Sequence, residues 1–367
     1  MKLTMMLKLQ TTSEQHDALL RTMEAFNRAC NCVADKAFAA GTANKYRLQK
    51  LVYHDIRKTY GLSSQMAIRV IAKVCEAYKR DRSVKPTFAL HGAMVYDQRI
   101  LSWKGPDRAS ILTLAGRIVV PYVVGAYQQE RLAAYGVRGQ ADLIYRDGVF
   151  YLAVVIDLPE PPEFDPTGWL GVDLGIVNIA TDSDGEVFSG GKVNGLRKRY
   201  AKLRARLQSK GTRSAKRLLR KRRRKEARFA RDVNHTISKR LVAKALDTAR
   251  GIALEDLTGI RERVTVRKAQ RRVHDSWSFY QLRTFLEYKA RLAGVPVLPV
   301  DPRNTSRTCP MCGTIDKRNR PTQARFLCIE CGFAGPADTI AAGNIACRAG
   351  VMRPHVTLQE QLQATRL

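Results

Sequence analysis

The segment that decides the fold runs from Trp169 to Ile176 and reads W-L-G-V-D-L-G-I, an apolar strand that carries one carboxylate, Asp173. It follows the stretch P-E-P-P-E-F-D-P at positions 159–166, and a proline-rich stretch of this kind is typical of a stiff boundary between domains. A buried charge is costly unless it is paired or binds a cation. We therefore expect a new domain to begin with this strand, with Asp173 at the strand end or on a cation.

The segments after Asp173 alternate between apolar strands and helices. A D-S-D-G turn at positions 182–185 separates two short strands. The pattern predicts further strands at 177–181, 186–189, 251–255 and 295–300 and helices at 192–250, 276–293 and from Asp338. The order strand, strand, strand, helix, strand, helix, strand, helix predicts an α/β domain with the RNase H-like fold.

The first 166 residues show a different pattern. A strand at 2–9 precedes helices at 13–38 and about 63–79, whose apolar residues recur at helical spacing. Short strands follow at 94–103, 110–114, 118–123, 141–145 and 149–158. The last two are joined by Asp147-Gly148, a typical hairpin turn. This half is therefore expected to be all-β, a small β-barrel with a helical insertion after its first strand.

The chain of 367 residues carries a formal net charge of +31, which is unevenly distributed. Residues 1–166 hold 23 Lys/Arg against 16 Asp/Glu, a net of +7, whereas residues 167–367 hold 41 against 17, a net of +24. Such a field favours a polyanion, so nucleic acid is the expected partner and an acidic membrane surface is the alternative. No apolar run reaches the roughly 18–20 residues that span a bilayer, and the N-terminus lacks a signal-peptide pattern. We expect a cytoplasmic protein that does not enter membranes.

Eight cysteines fall into two groups. Four of them form two C-x-x-C pairs separated by fifteen residues, which are Cys309, Cys312, Cys328 and Cys331. This spacing predicts a zinc ribbon with four thiolates, a closed and purely structural site. The remaining four are expected to be small buried hydrophobic side chains: Cys30, Cys32, Cys75 and Cys347.

Two further carboxylates stand on elements like that of Asp173. Glu255 lies in the apolar strand I-A-L-E-D-L, and Asp338 opens a helix after G-P-A. Taken singly, Asp338 is a common helix N-cap and Glu255 a solvent-facing strand end. Asp256 competes with Glu255, but alternation along the strand places it on the opposite face. Together the three favour Mg²⁺ or Mn²⁺, and two such ions ~3.5–4 Å apart can activate water and hold the leaving oxygen in phosphodiester cleavage.

These residues resemble the TnpB (OrfB) proteins of insertion sequences, small relatives of the type V CRISPR effectors. Three segments carry the resemblance in order along the chain. They are G-V-D-L-G-I-V-N-I-A at 171–180, A-L-E-D-L-T-G-I at 253–260, and T-S-R-T-C-P-M-C-G at 305–313, followed by C-I-E-C-G and A-D-T-I-A-A-G-N-I. The resemblance covers 167–350 well, whereas the first 166 residues match in architecture only.

The resemblance implies a Mg²⁺-dependent, RNA-guided DNA endonuclease of the prokaryotic cytosol or nucleoid. It implies that Asp173, Glu255 and Asp338 form the catalytic triad and hold magnesium, and that the ribbon cysteines bind Zn²⁺. A guide RNA and a double-stranded DNA target would be its partners, and a monomer is favoured. The sequence departs from the family at Ile340, where an Asn is usual, while Asn344 is retained. Support around the triad is therefore expected to differ.

The resemblance also suggests how the chain divides into domains. The predicted parts are a wedge-like β-barrel at 1–10 and 81–166, a helical recognition insertion at 11–80, a RuvC-like nuclease domain at 167–300 and 338–350, an inserted zinc ribbon at 301–337, and a flexible tail at 351–367.

The most basic stretch runs from Lys192 to Arg231, where forty residues hold 19 Lys/Arg and one acid, Glu226. Narrow apolar stripes indicate a helical hairpin that turns near Gly211. A solvated basic face is the ordinary reading, but like charges at this density repel one another without a polyanion. We expect phosphate contacts to a guide RNA or an RNA–DNA duplex from Lys221, Arg222, Arg223, Arg224, Lys225 and Arg228. Arg325, beside the ribbon cysteines, is a further candidate for contact with the scissile phosphate.

Four functions are compatible with these features. An RNA-guided endonuclease accounts for the carboxylates, the ribbon and the charge together. An RNA-guided DNA-binding repressor with a weak or inactive nuclease domain is the main alternative, because of Ile340. A transposase that joins strands itself would act without a bound RNA. A general zinc-ribbon RNA-binding protein would leave the three carboxylates unexplained.

Overall fold

The computed structural model describes residues 1–256 and 279–353, and the chain divides into two compact units, Met1–Pro159 and Glu160–Leu367. The division lies at the start of the proline-rich stretch at 159–166. Three predictions lie wholly or partly outside the described residues: the first residues of the helix at 276–293, the end of the motif at 253–260, and the tail at 351–367, of which only 351–353 are described.

The first unit is built on a seven-stranded antiparallel sheet. Its strands are β1 (Lys2–Leu9), β2 (Met94–Tyr96), β3 (Leu101–Trp103), β4 (Arg108–Thr113), β5 (Gly116–Val123), β6 (Arg138–Arg146) and β7 (Val149–Asp157). They are ordered β2-β6-β7-β1-β5-β4-β3. The two edge strands of this sheet are thus β2 and β3, which are consecutive in the sequence. The predicted barrel is a nearly closed sheet.

The single strand predicted at 94–103 is wrong, because the chain turns in its middle. The carbonyl of Asp97 accepts hydrogen bonds from the amides of Ile100 and Leu101, at 3.0 and 2.8 Å. The carboxylate of Asp97 is fixed by the guanidinium of Arg69, whose Nε is 2.8 Å from Oδ2. This tertiary ion pair holds the turn and separates β2 from β3.

Four helices accompany this sheet: α1 (Ser13–Ala39), α2 (Lys45–Tyr60), α3 (Ser64–Ala77) and α4 (Ala126–Tyr135). The two predicted helices, α1 and α3, begin at capping residues. Thr12 and Gln15 form a reciprocal capping box on α1, and the hydroxyl of Ser63 accepts from the amide of Met66 on α3. Neither α2 nor α4 was predicted.

The second unit contains a five-stranded mixed sheet. Its strands are β8 (Trp169–Asp173), β9 (Asn178–Asp182), β10 (Val187–Ser189), β11 (Gly251–Glu255) and β12 (Val297–Val300), ordered β10-β9-β8-β11-β12. β8, β11 and β12 run parallel, while β9 and β10 continue the sheet in antiparallel fashion. Among the described residues of this unit, the elements follow one another in the predicted order.

Helices cover both faces of this sheet. They are α5 (Gly191–Lys210), α6 (Arg213–Asp247), α7 (Phe279–Ala293) and α8 (Ala337–Met352). One face of the sheet shares a core with α6 and α7, and the other packs on α8 through Trp169, Ala253 and Ile345. The backbone of α8 lies so close to β8 that a Cβ on Gly171 would be 1.9 Å from the carbonyl oxygen of Ala342. Only glycine fits at this position.

The ribbon is inserted between β12 and α8. It contains a single 3₁₀ turn (Lys317–Asn319) and a two-stranded antiparallel sheet of β13 (Arg325–Leu327) and β14 (Ala334–Pro336). β14 leads directly into α8, so the ribbon sets the position at which this helix begins. Within the described residues, no helix combines the length and the apolar character needed to cross a bilayer.

Candidate metal centre and carboxylate site

The four ribbon cysteines converge on one point. Sγ of Cys309 is 3.6 Å from Sγ of Cys331, and Sγ of Cys312 is 3.5 Å from Sγ of Cys328. All four sulfurs lie within 4.8 Å of one another. Tetrahedral zinc with Zn–S bonds of about 2.3 Å requires sulfurs about 3.8 Å apart. The donor set therefore fits a closed zinc site, as the spacing predicted.

The three predicted carboxylates come from neighbouring elements. β8 and β11 are parallel, with Val172 paired with Leu254, so Asp173 and Glu255 follow at the same ends of adjacent strands. Adjacent strands lie about 4.8 Å apart. Asp338 is the second residue of α8, the helix that packs over these strands. Sheet register and helix packing thus bring all three side chains to one edge of the sheet.

Electrostatics couples these carboxylates. Burial raises the pKa of Asp173 from 3.8 to about 7, and the negative charges of Glu255 and Asp338 add to the increase. Burial also raises the pKa of Glu255, which a hydrogen bond from Thr305 partly offsets. Within 1–256 and 279–353, the cysteines are the one group of three or more candidate ligands whose atoms all lie within 4.8 Å. The carboxylates therefore share one site in a more open arrangement than the thiolates.

Arg320 supplies a positive charge at this site. Its Nη2 donates to Oδ1 of Asp338 at 2.8 Å and to the carbonyl of Gln323 at 2.7 Å. Its charge also lowers the pKa of both Asp173 and Glu255. The guanidinium thus acts on all three carboxylates.

Sequence reasoning missed Arg320 and selected Arg325 instead. Arg325 is exposed at the start of β13, and its phosphate contact stays a prediction. Both arginines lie in the ribbon and differ by five positions, so the sequence offered no signal to separate them.

Polar side chains from three segments fix the orientation of the carboxylates. Nδ2 of Asn178, on β9, donates to Oδ2 of Asp338 at 2.9 Å. The hydroxyl of Thr305 donates to Oε1 of Glu255 at 2.5 Å. Nδ2 of Asn344, on α8, donates at 2.8 Å to the carbonyls of Thr305 and Thr308. Asn344 therefore holds the chain that carries the hydroxyl partner of Glu255.

Ile340, the departure from the family pattern, belongs to the core of the ribbon. It is 8% exposed and packs in one apolar cluster with Cys309, Phe326, Cys328 and Ala337. Its methyl carbon lies 3.2 Å from the position of a Cβ on Gly335. The side chain joins the four-cysteine cluster to the first turn of the helix that carries Asp338.

Asp256 lies apart from the carboxylate site. Its Oδ1 accepts from Nη1 of Arg283, on α7, at 2.8 Å. Its amide donates to the carbonyl of Val300 on β12. The predicted alternation therefore assigns Glu255, and not Asp256, to the side of the sheet that faces the ribbon.

The predicted basic hairpin is present as α5 and α6, with Gly211 in the left-handed conformation between them. All six predicted phosphate-contacting residues lie on α6: Lys221, Arg222, Arg223, Arg224, Lys225 and Arg228. Arg222 is half-buried and Lys221, Arg223, Lys225 and Arg228 are exposed, while the side chain of Arg224 is outside the described part of the chain. Their nucleic-acid contacts stay a prediction.

Two family models match the second half of the chain. Residues 153–259 match OrfB_IS605, described as "Probable transposase", and residues 279–345 match "Cas12f1-like, TNB domain". The first match contains Asp173 and Glu255, and the second contains the four cysteines and Asp338. The second half of the chain is thus similar in turn to the OrfB_IS605 family and to the Cas12f1-like TNB domain.

Two curated relatives and one solved structure resemble the chain further. The CRISPR-associated endodeoxyribonuclease Cas12f1 of Sulfoacidibacillus thermotolerans is 29% identical over 74% of this chain and 69% of its own length. A TnpB-like protein of Methanocaldococcus jannaschii is 35% identical over 42% of this chain and 56% of its own length. The Cas12f1 chain of a Cas12f1-sgRNA-target DNA complex superposes with a TM-score of 0.59 at 11% identity, over 94% of this chain and 98% of that one. The resemblance to the TnpB (OrfB) family is confirmed, and the chain is a relative of these proteins and of Cas12f1.

Proposed function

We propose that the chain is an RNA-guided DNA endonuclease that cleaves target DNA beside a short flanking motif. Two relatives support this function, one named an endodeoxyribonuclease and the other a TnpB-like protein. The fold supports it as well, because it is similar to that of the protein in a Cas12f1-sgRNA-target DNA complex. In this proposal a guide RNA pairs with the target strand, and the protein reads shape, backbone and the flanking motif. The site of action is the prokaryotic cytosol or nucleoid.

The observation that carries the proposal is the carboxylate site. Two parallel strands, β8 and β11, carry Asp173 and Glu255, and helix α8 carries Asp338. We assign the domain built on this sheet, ordered β10-β9-β8-β11-β12, to the RuvC-like type. The pKa of Asp173 is about 7 in the absence of metal, because burial raises it and the negative charges of Glu255 and Asp338 raise it further. Clustered acids with strongly perturbed pKa values in one place are characteristic of functional sites.

The donor set suits a hard divalent cation. It offers carboxylate oxygens, which Mg²⁺ and Mn²⁺ prefer, and its negative charge exceeds what Arg320 offsets. Asp173, Glu255 and Asp338 would hold the ions, which when bound supply activation of water and stabilisation of the leaving oxygen.

The surrounding residues have separate roles in this proposal. Thr305 and Asn178 keep Glu255 and Asp338 oriented through hydrogen bonds to single carboxylate oxygens. Arg320 has a planar guanidinium that matches phosphate geometry, and it would contact the scissile phosphate. The zinc ribbon presents this arginine, so its fold is required although the zinc takes no part in the chemistry.

Cleavage of a plasmid by the purified complex tests the proposal. The chain is expressed with its native flanking locus, the RNA that co-purifies is sequenced, and the complex is incubated with Mg²⁺ and a plasmid library with randomised target-adjacent bases. Asp173→Ala should abolish cutting while the amount of bound RNA stays the same. Asp256→Ala is the matched control, because it removes the carboxylate directly after β11 that pairs with Arg283 instead. Cutting that survives Asp173→Ala would refute the site.

The repressor alternative is separated by the same experiment. Ile340, the departure that motivated it, has a packing role beside Cys309 and Phe326. A complex that binds target DNA with its guide and leaves it intact in Mg²⁺ would establish the repressor. A complex that joins strands without RNA would establish the transposase.

A further inference from the structure

A cleft of about 370 Å³ opens between α5 and α6. Pockets that hold small ligands have volumes of roughly 300–1,000 Å³, so the cleft has room for a ligand. Its wall is apolar in part, formed by Leu203, Leu207 and Leu219, and it is completed by the ring of Tyr200.

The cleft exists because the residues at the interface between α5 and α6 change from apolar to charged along the helices. Near the turn, Leu207 and Ala215 are both buried. Further along α6 the helical spacing leads from Ala215 to Leu219, Arg222 and Glu226, so charged side chains take positions that an apolar seam would require. Apolar side chains therefore do not pack α5 and α6 tightly together at these positions.

Positive charge at the rim of the cleft is only partly compensated. Nη2 of Arg204 pairs with Glu226 at 3.1 Å. For Arg220, Arg222 and Arg223, which also line the cleft, the described residues provide no carboxylate within 4 Å. The guanidinium carbon of Arg222 lies 5.8 Å from the ring centroid of Tyr200, which places a cation beside an aromatic face.

We propose that this cleft binds one unpaired nucleotide of a nucleic-acid strand held by the chain. The base would pack on Tyr200 and the leucines, and its phosphate would bind the arginines at the rim. The inference rests on the proposed function, because that function supplies the strand. Single-strand binding sites combine aromatic platforms with arginine and lysine in this way.

The cleft chemistry distinguishes this site from a general basic face. Phosphate contacts alone do not require an unpaired base, since paired and unpaired strands both present backbone phosphates. A base inside a helix is stacked on its neighbours and cannot enter a pocket until it is unstacked. Preference for unpaired over paired strands is therefore the property that the cleft confers.

A cavity-filling substitution tests the proposal without altering charge. Leu219→Phe places a larger side chain in the wall of the cleft, and Leu218→Phe makes the same change at the adjacent residue, which is 39% exposed and outside the cleft. Both are made in the full-length Asp173→Ala chain, freed of co-purified RNA at high salt and kept without added magnesium or manganese. Unfolding temperatures and zinc content verify that each variant is folded.

Binding is measured by fluorescence anisotropy with unstructured single-stranded RNA, the same sequence as DNA, and the corresponding duplexes. We expect Leu219→Phe to weaken single-strand binding about tenfold, as expected for the loss of one stacked base, and to leave duplex binding unchanged. Leu218→Phe should change neither. A loss with the RNA probe alone identifies a ribonucleotide, and a loss with both probes identifies a nucleotide of either strand. Equal affinities of the two variants for single strands, or an equal loss on duplexes, would overturn the proposal.

A second pair of variants covers failure of Leu219→Phe to fold. Arg222→Ala removes the cation beside Tyr200, and Arg217→Ala removes an exposed arginine of the same helix outside the cleft. Arg222→Ala should reduce the ratio of single-strand to duplex affinity about tenfold, whereas Arg217→Ala should leave this ratio unchanged. A ratio that Arg222→Ala leaves unchanged would also overturn the proposal. Because cleavage is absent from these assays, the cleft and the nuclease site fail or succeed independently.

Discussion

The perturbed carboxyl of Asp173 predicts how the stability of the metal-free protein depends on pH. Its pKa lies at about 7 in the folded chain, against an ordinary value of 3.8. The folded state therefore binds a proton that the unfolded state releases, and this raised pKa destabilises the fold as pH rises from about 4 to about 7. The difference between these two pKa values corresponds to about 4 kcal/mol at and above neutral pH.

Asp173→Asn removes this cost by replacing the carboxylate with a neutral group of the same shape. Between about pH 5.5 and about pH 8.5 the stability of the variant relative to wild type should increase by about 2 kcal/mol, most of it below about pH 7.5. Urea unfolding at a series of pH values measures the difference. Chelators are avoided, because they would remove zinc from the ribbon. Asp256→Asn is the control, and its relative stability should not follow this curve.

Magnesium supplies the second half of this test. Because a divalent cation favours the ionised carboxylate, millimolar Mg²⁺ should stabilise wild type at about pH 8 and stabilise Asp173→Asn much less. The reasoning is refuted if the advantage of the variant is the same at both ends of the pH range, or if magnesium stabilises the two proteins equally.

Three further predictions concern the surroundings of the site. Arg320→Ala removes the cation beside the carboxylates. It should lower the single-turnover cleavage rate at least about tenfold, which is the effect expected from losing one hydrogen bond to a charged group. A rate equal to that of wild type would exclude a role of Arg320 in cleavage. Thr305→Val should lower the rate about tenfold and raise the Mg²⁺ concentration needed, whereas Thr305→Ser, which keeps the hydroxyl, should restore both. Cys328→Ser should reduce the zinc content from about one ion per chain to none and abolish cleavage, while Cys347→Ser, outside the four-thiolate site, should retain both; zinc retained in Cys328→Ser would contradict the assignment.

Local patterns predicted the elements that are marked by an apolar run or by an apolar stripe. The strand of Asp173 and that of Glu255 were predicted to the residue, or nearly so, because each is an apolar run that ends at a charged residue. The helical hairpin was predicted with its turn at Gly211, since narrow apolar stripes flank a residue that readily adopts a positive φ. These features depend on neighbours in sequence, which the sequence displays directly.

The two helices that the sequence analysis missed, α2 and α4, differ in whether the sequence carries a helical pattern for them. Helix α2 buries Leu48, Val52 and Ile56 at intervals of four and begins at the N-cap Asn44, so the signal was present among many polar residues. Helix α4 buries no residue at all. An apolar stripe cannot identify a helix that lacks one, and only its glycine boundaries at 125 and 136 mark its ends.

The partners within the site could not be read from the chain. The carboxylates were identified by residue type and by the ends of the strands, but the contact of Arg320 with Asp338 depends on how the ribbon folds. The bond from Thr305 to Glu255 likewise joins segments fifty positions apart. Such pairings follow from tertiary geometry, which no periodicity encodes.

The absence of a side chain at Gly171 constrains how the protein can diverge. Even a methyl group there would overlap the carbonyl of Ala342 and approach the amide of Ala346 at 2.7 Å. Helix α8 therefore cannot slide along β8 to accommodate a larger residue without moving Asp338 relative to Asp173. In a saturation-mutagenesis library selected for DNA interference, all nineteen substitutions at position 171 should be depleted. The cause is the close approach of the backbones of α8 and β8, two residues before Asp173.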